Sequence, residues 1–392
     1  MMPTQSDVVL TILMPCLNEV ETLPICIHMA KTWMQNNPNV CAEILVADNG
    51  STDGSQALAK ELGARVIHVE QRGYGAALFE GCQQALGRYI VMGDSDASYD
   101  FKHLDVFLDK LEDQADLVMG NRFLGGISPG AMPWKNRYIG NPVLSFIGRC
   151  LFPIHIQDFH CGIRAISKEA FLKLDLRTTG MEFASEMVIK AALLELHIQE
   201  VPTTLNKDGR SRPPHLRPWR DGWRHLRFML LFSPRWLFIY PGLILGTLFL
   251  FFYGALLQGP LNVGAITLDV HTLFYAQAGL VLSTMMLFTG SILRAFAFRE
   301  GLLLKSQWLM LIRRSPVLEV GALLSIVMMI LGFWWGVDAV ITWGQVGFGS
   351  LTSGHLIRTV SLSTTLMMIS GLGFLWSLVM GFVSLPLRQE VR

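Results

Sequence analysis

Tyr89-Ile-Val-Met-Gly-Asp-Ser-Asp96 sets two carboxylates at the end of a short apolar run. Tyr89–Met92 reads as a buried strand, and Asp94 and Asp96 leave its carboxyl end two residues apart. Carboxylates placed this way converge on a hard divalent cation, Mg²⁺ or Mn²⁺, with phosphate oxygens filling further positions. Such a cation neutralises a diphosphate leaving group. A lone Asp-x-Asp also suits a solvated turn or a helix cap; its place after a buried strand is what raises it above that background.

Outward from this stretch, β-rich runs alternate with helical ones. Strands are expected at Val8–Met14, Glu43–Ala47, Arg65–Val69, Tyr89–Met92 and Asp116–Met119, and helices at Thr22–Asn36, Asp53–Leu62, Gly75–Leu86 and Phe101–Leu111. This alternation predicts an α/β domain with a mostly parallel, Rossmann-like sheet covered on both faces. Ligands of such sheets bind beyond the carboxyl ends of the strands. Pro15 stops the first strand there, and Asn18 and Glu19 form a polar pair suited to a base or ribose, or equally to a helix N-terminus. Asp48 follows the second strand and is placed to hold a nucleotide hydroxyl or base, whereas Asp53 and Gly54 shape a turn. Arg72-Gly-Tyr-Gly75 opens a helix with small residues along it. Close helix packing accounts for the glycines, and Arg72 is a candidate phosphate contact. Leu78 stands where a dinucleotide fingerprint requires its last Gly.

The 392 residues are 51% hydrophobic and 16% charged, whereas soluble proteins are about a quarter charged; mean hydropathy is +0.39. The excess lies beyond Trp236. Leu237–Leu257, Thr272–Leu293, Val317–Val337 and Leu362–Val383 each reach the roughly 20 residues that cross a hydrocarbon core. Gln258–His271 carries no Lys or Arg, while Arg294–Pro316 carries Arg294, Arg299, Lys305, Arg313 and Arg314. Asp338–Ser361 holds Arg358, and the tail holds Arg388 and Arg392. The positive-inside rule then places the second loop, both termini and the first domain in the cytoplasm, giving a multi-pass protein of the inner (cytoplasmic) membrane.

Arg220, Arg224 and Arg227 alternate with Trp219, Trp223 and Phe228. That pattern suits a helix in the headgroup layer, or one packed on the cytosolic head. The expected division is a cytosolic domain over 1–216, an interfacial segment over 217–236 and spans over 237–392. A net charge of +1 argues against nucleic acid as a partner. The six cysteines form no C-x-x-C pair, so neither a disulfide framework nor a zinc site is expected. The run Val8–Met14 is too short to span and ends at Pro15, which reads as a strand rather than a signal peptide.

Taken together, Pro15 with Asn18-Glu19, Asp48-Asn-Gly-Ser-Thr-Asp53, Gly75 to Gly87 and Asp94-Ser-Asp96 resemble family 2 glycosyltransferases with the GT-A fold. Gly120-Asn-Arg122 and Asp158-Phe-His-Cys-Gly-Ile-Arg164 look like the G-S-R and D-x-x-S-G-F-R segments of polyprenyl-phosphate glycosyltransferases of the dolichol-phosphate mannose synthase type. Asn206-Lys-Asp-Gly-Arg-Ser-Arg212 looks like that group's R-x-x-G-x-S-K segment, and also suits a basic loop at a membrane surface. The resemblance covers roughly Val8 to Arg212.

By that resemblance Asp94 and Asp96 would bind the metal and donor diphosphate, and Pro15, Asn18, Glu19 and Asp48 the nucleotide. Arg122 would face the donor or acceptor phosphate. Asp158 and Arg164 would line the sugar side, with Arg164 alternatively a structural ion-pair partner. Lys207, Arg210 and Arg212 would close over the diphosphate or receive a lipid phosphate. The partners implied are a nucleotide-sugar donor, a lipid-phosphate acceptor and membrane lipid, and a homo-oligomer is compatible. Two departures stand out: Ser98-Tyr99 replaces the usual Gln-Asp after D-x-D, and Asn49 replaces the second Asp of the pair after the second strand.

An ionised phosphate acceptor needs no strong base, so positioning and charge stabilisation would suffice, with inversion at the anomeric carbon. A processive polysaccharide synthase is the first rival. Its Q-x-x-R-W segment is met here only by Phe232-Ser-Pro-Arg-Trp236, and its hydroxyl acceptor would need a base such as Glu182 or Glu186. A transporter with a nucleotide-sugar-sensing head is the second, yet the spans offer little beyond Ser, Thr and Gln277 at membrane depth.

Overall fold

Leu10 to Cys16 carries no charged side chain and is buried along its whole length, as a strand covered on both faces must be. The structure, a computed structural model, describes residues 8–152, 154–211, 218–299, 316–345, 347–349 and 354–385. β1 (Leu10–Cys16) leads through α1 (Leu23–Asn36), β2 (Ala42–Asp48), α2 (Ser55–Glu61), β3 (Arg65–His68) and α3 (Tyr74–Gln84) to β4 (Tyr89–Met92). Next come α4 (Asp105–Glu112), β5 (Leu117–Asn121), a single turn α5 (Arg122–Gly125), a π-helical turn at Asn136–Gly140 and α6 (Asn141–Leu151). β6 (Arg164–Ser167), α7 (Lys168–Leu174), α8 (Phe183–Leu193), β7 (Ile198–Pro202) and α9 (Pro218–Leu231) complete the first of two compact units, Met1–Leu231.

All five expected strands form, and so do the four expected helices. The fourth helix starts late, at Asp105 rather than Phe101. Tyr99, Phe101 and Leu104 explain the difference, because these three buried side chains enter the core from a loop. The seven strands run in the order β3-β2-β1-β4-β6-β5-β7. β1 is parallel to β2 and β4, β2 to β3, and β5 to β7, whereas β6 is antiparallel to both its neighbours. α3 lies directly on β1. A Cβ on Gly81 would overlap the Leu13 side chain, and one on Gly87 would come within 2.5 Å of Thr11 N. The glycines of the Gly75–Gly87 stretch therefore serve packing, as helix contact alone requires.

The second unit is Phe232–Arg392. A π-helical turn at Arg235–Ile239 runs into α10 (Tyr240–Gln258), and a hairpin of β8 (Leu261–Val263) and β9 (Ile266–Leu268) leads to α11 (Val270–Arg299). α12 (Val317–Gln345) and α13 (Gly354–Ser384) follow. Four helices, Arg235–Gln258, Val270–Arg299, Leu318–Gln345 and Gly354–Ser384, are long and apolar enough to cross a membrane. Each extends past its expected apolar stretch. Lys305, Arg313, Arg314, Arg388 and Arg392, used above to orient the spans, lie outside the described residues.

Lipid tails are as apolar as Leu, so these helices cannot associate by the hydrophobic effect and pack instead through small residues and hydrogen bonds. α12 meets α13 antiparallel, with Gly321 against Ser377, Gly373 against Ser325 and Gly332 against the Ser363 backbone. Gly246 likewise faces Ser283 between α10 and α11. A buried polar chain joins three spans. Tyr253 Oη lies 2.7 Å from Thr365 Oγ1, Ser361 Oγ donates to Gln277 Oε1 at 2.9 Å, and Gln277 Nε2 donates to Thr364 Oγ1 at 2.9 Å.

Candidate active site

β4 ends at Met92, and the chain turns through Gly93, whose missing Cβ leaves room for Phe101. Asp94 then accepts a hydrogen bond from Tyr74 Oη at 2.9 Å. Its other oxygen faces the 158–164 segment so closely that a Cβ on Gly162 would lie 2.5 Å from Asp94 Oδ2. Ser95, between the two aspartates, donates to the carbonyl of Pro15 at 2.7 Å and so ties the end of β1 to that of β4. Asp96 Oδ1 accepts from the backbone and hydroxyl of Ser98 at 3.0 and 2.5 Å. Ala97 between them has φ +62°, a left-handed conformation that costs a non-glycine residue about 1–3 kcal/mol and clusters at functional sites. Burial, and after it the Asp96 carboxylate, pushes the Asp94 carboxyl up to about 6. Like charge on neighbouring carboxylates favours a nearby cation. Arg210 supplies one here, its Nη2 standing 2.5 Å from Asp96 Oδ2. Asp94 and Asp96 thus have the chemistry of a divalent-cation seat. Among the described residues no three His, Cys, Asp or Glu side chains gather to hold a metal by themselves.

On the β2 side, Asp48 is fully buried. Its Oδ2 accepts from Gly50 N, Ser51 N and Gln56 Nε2 at 3.0, 3.1 and 2.6 Å, and its buried Oδ1 has no hydrogen-bond partner in the protein. An oriented acceptor left open beyond a strand end fits an N–H or O–H of a ligand. Asn18, at φ +56°, accepts from Thr52 N at 2.8 Å and links the first two loops. Glu19 accepts from Thr22 Oγ1 at 3.0 Å and from Arg210 Nη1 at 3.1 Å. Asn49 donates to the Gln71 carbonyl at 2.8 Å and accepts from Gly73 N at 2.7 Å. An ionised Asp could not donate the first of these, which gives the departure at this position a physical reason. Arg72 is exposed. Gly73 and Gly75 approach the Thr178–Gly180 backbone rather than open space.

Arg122 and Asp158 form one buried unit. Arg122 Nε and Nη2 each meet a different Asp158 oxygen at 2.7 Å, and the Arg122 backbone N–H adds a third bond at 3.0 Å. Glu200 fixes the segment by accepting from Gln157 N and Asp158 N at 2.8 and 2.9 Å. Arg164 donates to the carbonyls of Ala184 and Cys161 at 2.8 and 2.6 Å, which braces the segment from below. Lys207 is exposed, and Arg212 lies outside the described residues. Glu186 is fully buried, accepting from Arg177 N, Thr178 N and Thr178 Oγ1 and pairing with Lys190 at 2.9 Å. So engaged, it is unavailable as a base. Glu182 lies 3.9 Å from Arg224.

The structure therefore gathers Pro15, Glu19, Asp94, Asp96 and Arg210, with Asp158 and Arg164 on the segment that carries Gly162 and Arg122 joined to it through Asp158. It leaves Arg72 and Lys207 at the surface. Tyr74 and Glu200 have contacts here that the sequence reading did not assign. Tyr74 stood between two glycines already singled out, whereas nothing around Glu200 distinguishes it.

The family model for glycosyl transferase family 2 matches residues 11–175, and that for the family 2 C-terminal transmembrane region matches residues 291–384. The low-salt glycan biosynthesis hexosyltransferase Agl6 of Haloferax volcanii is 33% identical over 381 residues, covering 94% of this chain and 89% of its own. The polyprenol monophosphomannose synthase of Mycolicibacterium smegmatis is 31% identical over 220 residues, 52% of this chain and 79% of its own. A dolichyl-phosphate hexose transferase of Haloferax volcanii is 32% identical over 162 residues, 41% of this chain and 68% of its own. The chain belongs to glycosyltransferase family 2, and is a hexosyltransferase with a GT-A-like mixed sheet followed by a membrane domain.

Proposed function

We propose that the protein transfers a hexose from a GDP- or UDP-sugar to a polyprenyl-phosphate lipid at the cytoplasmic face of the membrane, with inversion. The observation that carries this reading is the Arg122–Asp158 unit. Both Asp158 oxygens are engaged at 2.7 Å, so this unit holds a fixed guanidinium and offers no free carboxylate as proton acceptor. A guanidinium suits an acceptor that arrives already ionised, as a phosphate does near neutral pH. The polyprenol- and dolichyl-phosphate names of two relatives support the same acceptor class. Arg294 and Arg299 at the end of α11, against a β8–β9 hairpin without Lys or Arg, support the cytoplasmic placement of the head.

In the reaction an acceptor phosphate oxygen attacks the anomeric carbon, and the bond to the donor diphosphate breaks with its electron pair leaving on the nucleoside diphosphate. No proton has to move. Asp94 and Asp96 would hold Mg²⁺ or Mn²⁺, which when bound neutralises charge on that leaving group. Asp48 and Glu19 bind the nucleoside end, Arg122 orients the attacking phosphate, and Asp158 positions Arg122. The test is to incubate detergent-purified protein with a panel of nucleotide sugars and undecaprenyl phosphate and weigh the product lipid. A lipid monophosphate bearing one hexose is expected, with transfer falling at least about 100-fold in Asp94→Asn and Asp96→Asn. A polymer, or near-normal transfer by both variants, would sink the proposal.

A further inference from the structure

Residues 206–211 form a strap that lies on the loop carrying the two aspartates. Asn206 N–H donates to the Ser98 carbonyl at 2.8 Å and Gly209 N–H to the Asp96 carbonyl at 3.0 Å. Ser211 gives its backbone N–H and its hydroxyl to the Glu21 carboxylate at 2.9 and 2.6 Å. Gly209 passes close to Thr22, whose Cγ2 would lie 3.2 Å from an added Cβ. These contacts seat Arg210 with its side chain only 11% exposed, bridging Glu19 Oε1 at 3.1 Å and Asp96 Oδ2 at 2.5 Å.

A divalent cation on Asp96 has to sit about 2.0–2.2 Å from a carboxylate oxygen. Asp96 Oδ1 already accepts from Ser98, and Oδ2 is the oxygen that Arg210 holds. A cation bound to Oδ2 would therefore stand beside the guanidinium on the same oxygen, where their like charges repel. Among the described residues no third His, Cys, Asp or Glu completes a cluster, so a lone cation would draw most of its ligands from water. A nucleoside diphosphate changes both conditions at once. Its oxygens supply ligands in place of water, and its charge gives the guanidinium another partner.

We infer that Arg210 is the resident counter-charge of Asp96 and Glu19 in the donor-free protein, and that it surrenders this seat only to a divalent cation arriving with a nucleoside diphosphate. Free cation is thereby kept off the site, and donor binding and strap movement become one event. The inference rests on Asp94 and Asp96 being the metal seat.

The test uses the full chain in detergent, titrated with Mn²⁺ while the spin-resonance signal of the free ion is followed, with and without UDP or GDP. Wild type should bind Mn²⁺ weakly alone and at least about tenfold more tightly with one of the nucleotides. Arg210→Gln should bind Mn²⁺ alone about tenfold more tightly than wild type, because it removes the positive charge that holds Asp96 Oδ2. Glu21→Ala unties the strap but keeps Arg210, so it should shift the nucleotide-free affinity the same way by about threefold; it also serves if Arg210→Gln does not fold. Unchanged nucleotide-free affinity in the folded variants overturns the inference. Asp96→Asn separates the two readings. Loss of nucleotide-dependent Mn²⁺ binding in Asp96→Asn alongside unshifted Arg210→Gln and Glu21→Ala refutes only the role of Arg210, whereas wild-type binding by Asp96→Asn refutes the metal seat.

Discussion

Asp158 holds Arg122 at two points inside the protein. Its carboxylate is fully buried and fixes the Arg122 guanidinium. Asp158→Ala should cost about 3–5 kcal/mol of stability, measured by urea unfolding, because it strands a buried guanidinium. Arg122→Lys keeps the charge but loses the two-point contact, and transfer should still fall by about tenfold or more while the fold survives. Retention of full activity in that variant would refute the orienting role. His160 offers a pH signature. Both its ring nitrogens are buried without hydrogen-bond partners. Burial first, then His225, Arg122 and Arg164, hold its imidazole well below the ordinary histidine range. The unfolded chain takes up this proton near pH 6.5 and the folded one does not, so this contribution to stability is present above about 6.5 and is lost as pH falls. In His160→Phe the melting temperature should therefore drop less between pH 7.5 and 5.5, by a few degrees; an identical drop in both proteins would contradict this. Asp94, Asp96, Arg122 and Asp158 were visible as residues, because each follows a strand or sits in a recognisable motif. Their partners Tyr74 and Glu200 were not assigned, and Arg210 was assigned to a phosphate rather than to Asp96, since pairing across 20 to 114 positions depends on how the loops close.

At the scale of elements, α3 is closely constrained at both Gly75 and Gly81. A Cβ on Gly75 would lie 2.6 Å from Phe183 Cβ and 2.7 Å from the Gly180 carbonyl. Gly75→Ala should push the N-terminus of α3 away from the Thr178–Gly180 loop and cost about 1–3 kcal/mol. Because Tyr74 rides on that turn and binds Asp94, transfer should fall together with stability. Wild-type unfolding midpoint and rate in this variant would show that the loop yields instead. The first five strands were legible because a buried parallel strand is a short apolar run between turn residues. β6 and β7 were not. Arg164-Ala-Ile-Ser167 is as short as β3 and begins with Arg as β3 does, but it carries one β-branched aliphatic residue where β3 carries two, so its strand signal is weaker. Its antiparallel place between β4 and β5 is nevertheless what carries the 158–164 segment to Asp94.

For the whole molecule, the remaining question is which side of the bilayer each end occupies. Asn262 lies exposed in the β8–β9 hairpin between the first two spans. With the head in the cytoplasm, Asn262→Cys should react with a membrane-impermeant maleimide added outside intact cells, and the native exposed Cys150 should not. Labelling of Cys150 alone would reverse the orientation. The sequence by itself determined the four spans, the α/β head and the family of chemistry. Each rests on local information: a span needs only length and apolarity because its backbone bonds are internal, and the motif residues lie directly after their strands. Tertiary structure alone decided the register of α12 on α13 through Gly321, Ser325, Gly332 and Gly373, and the closure of Arg210 onto Asp96 and Glu19. Those contacts join residues far apart in the chain. Their strength comes from steric fit and from charge held out of water, neither of which exists until the fold has formed.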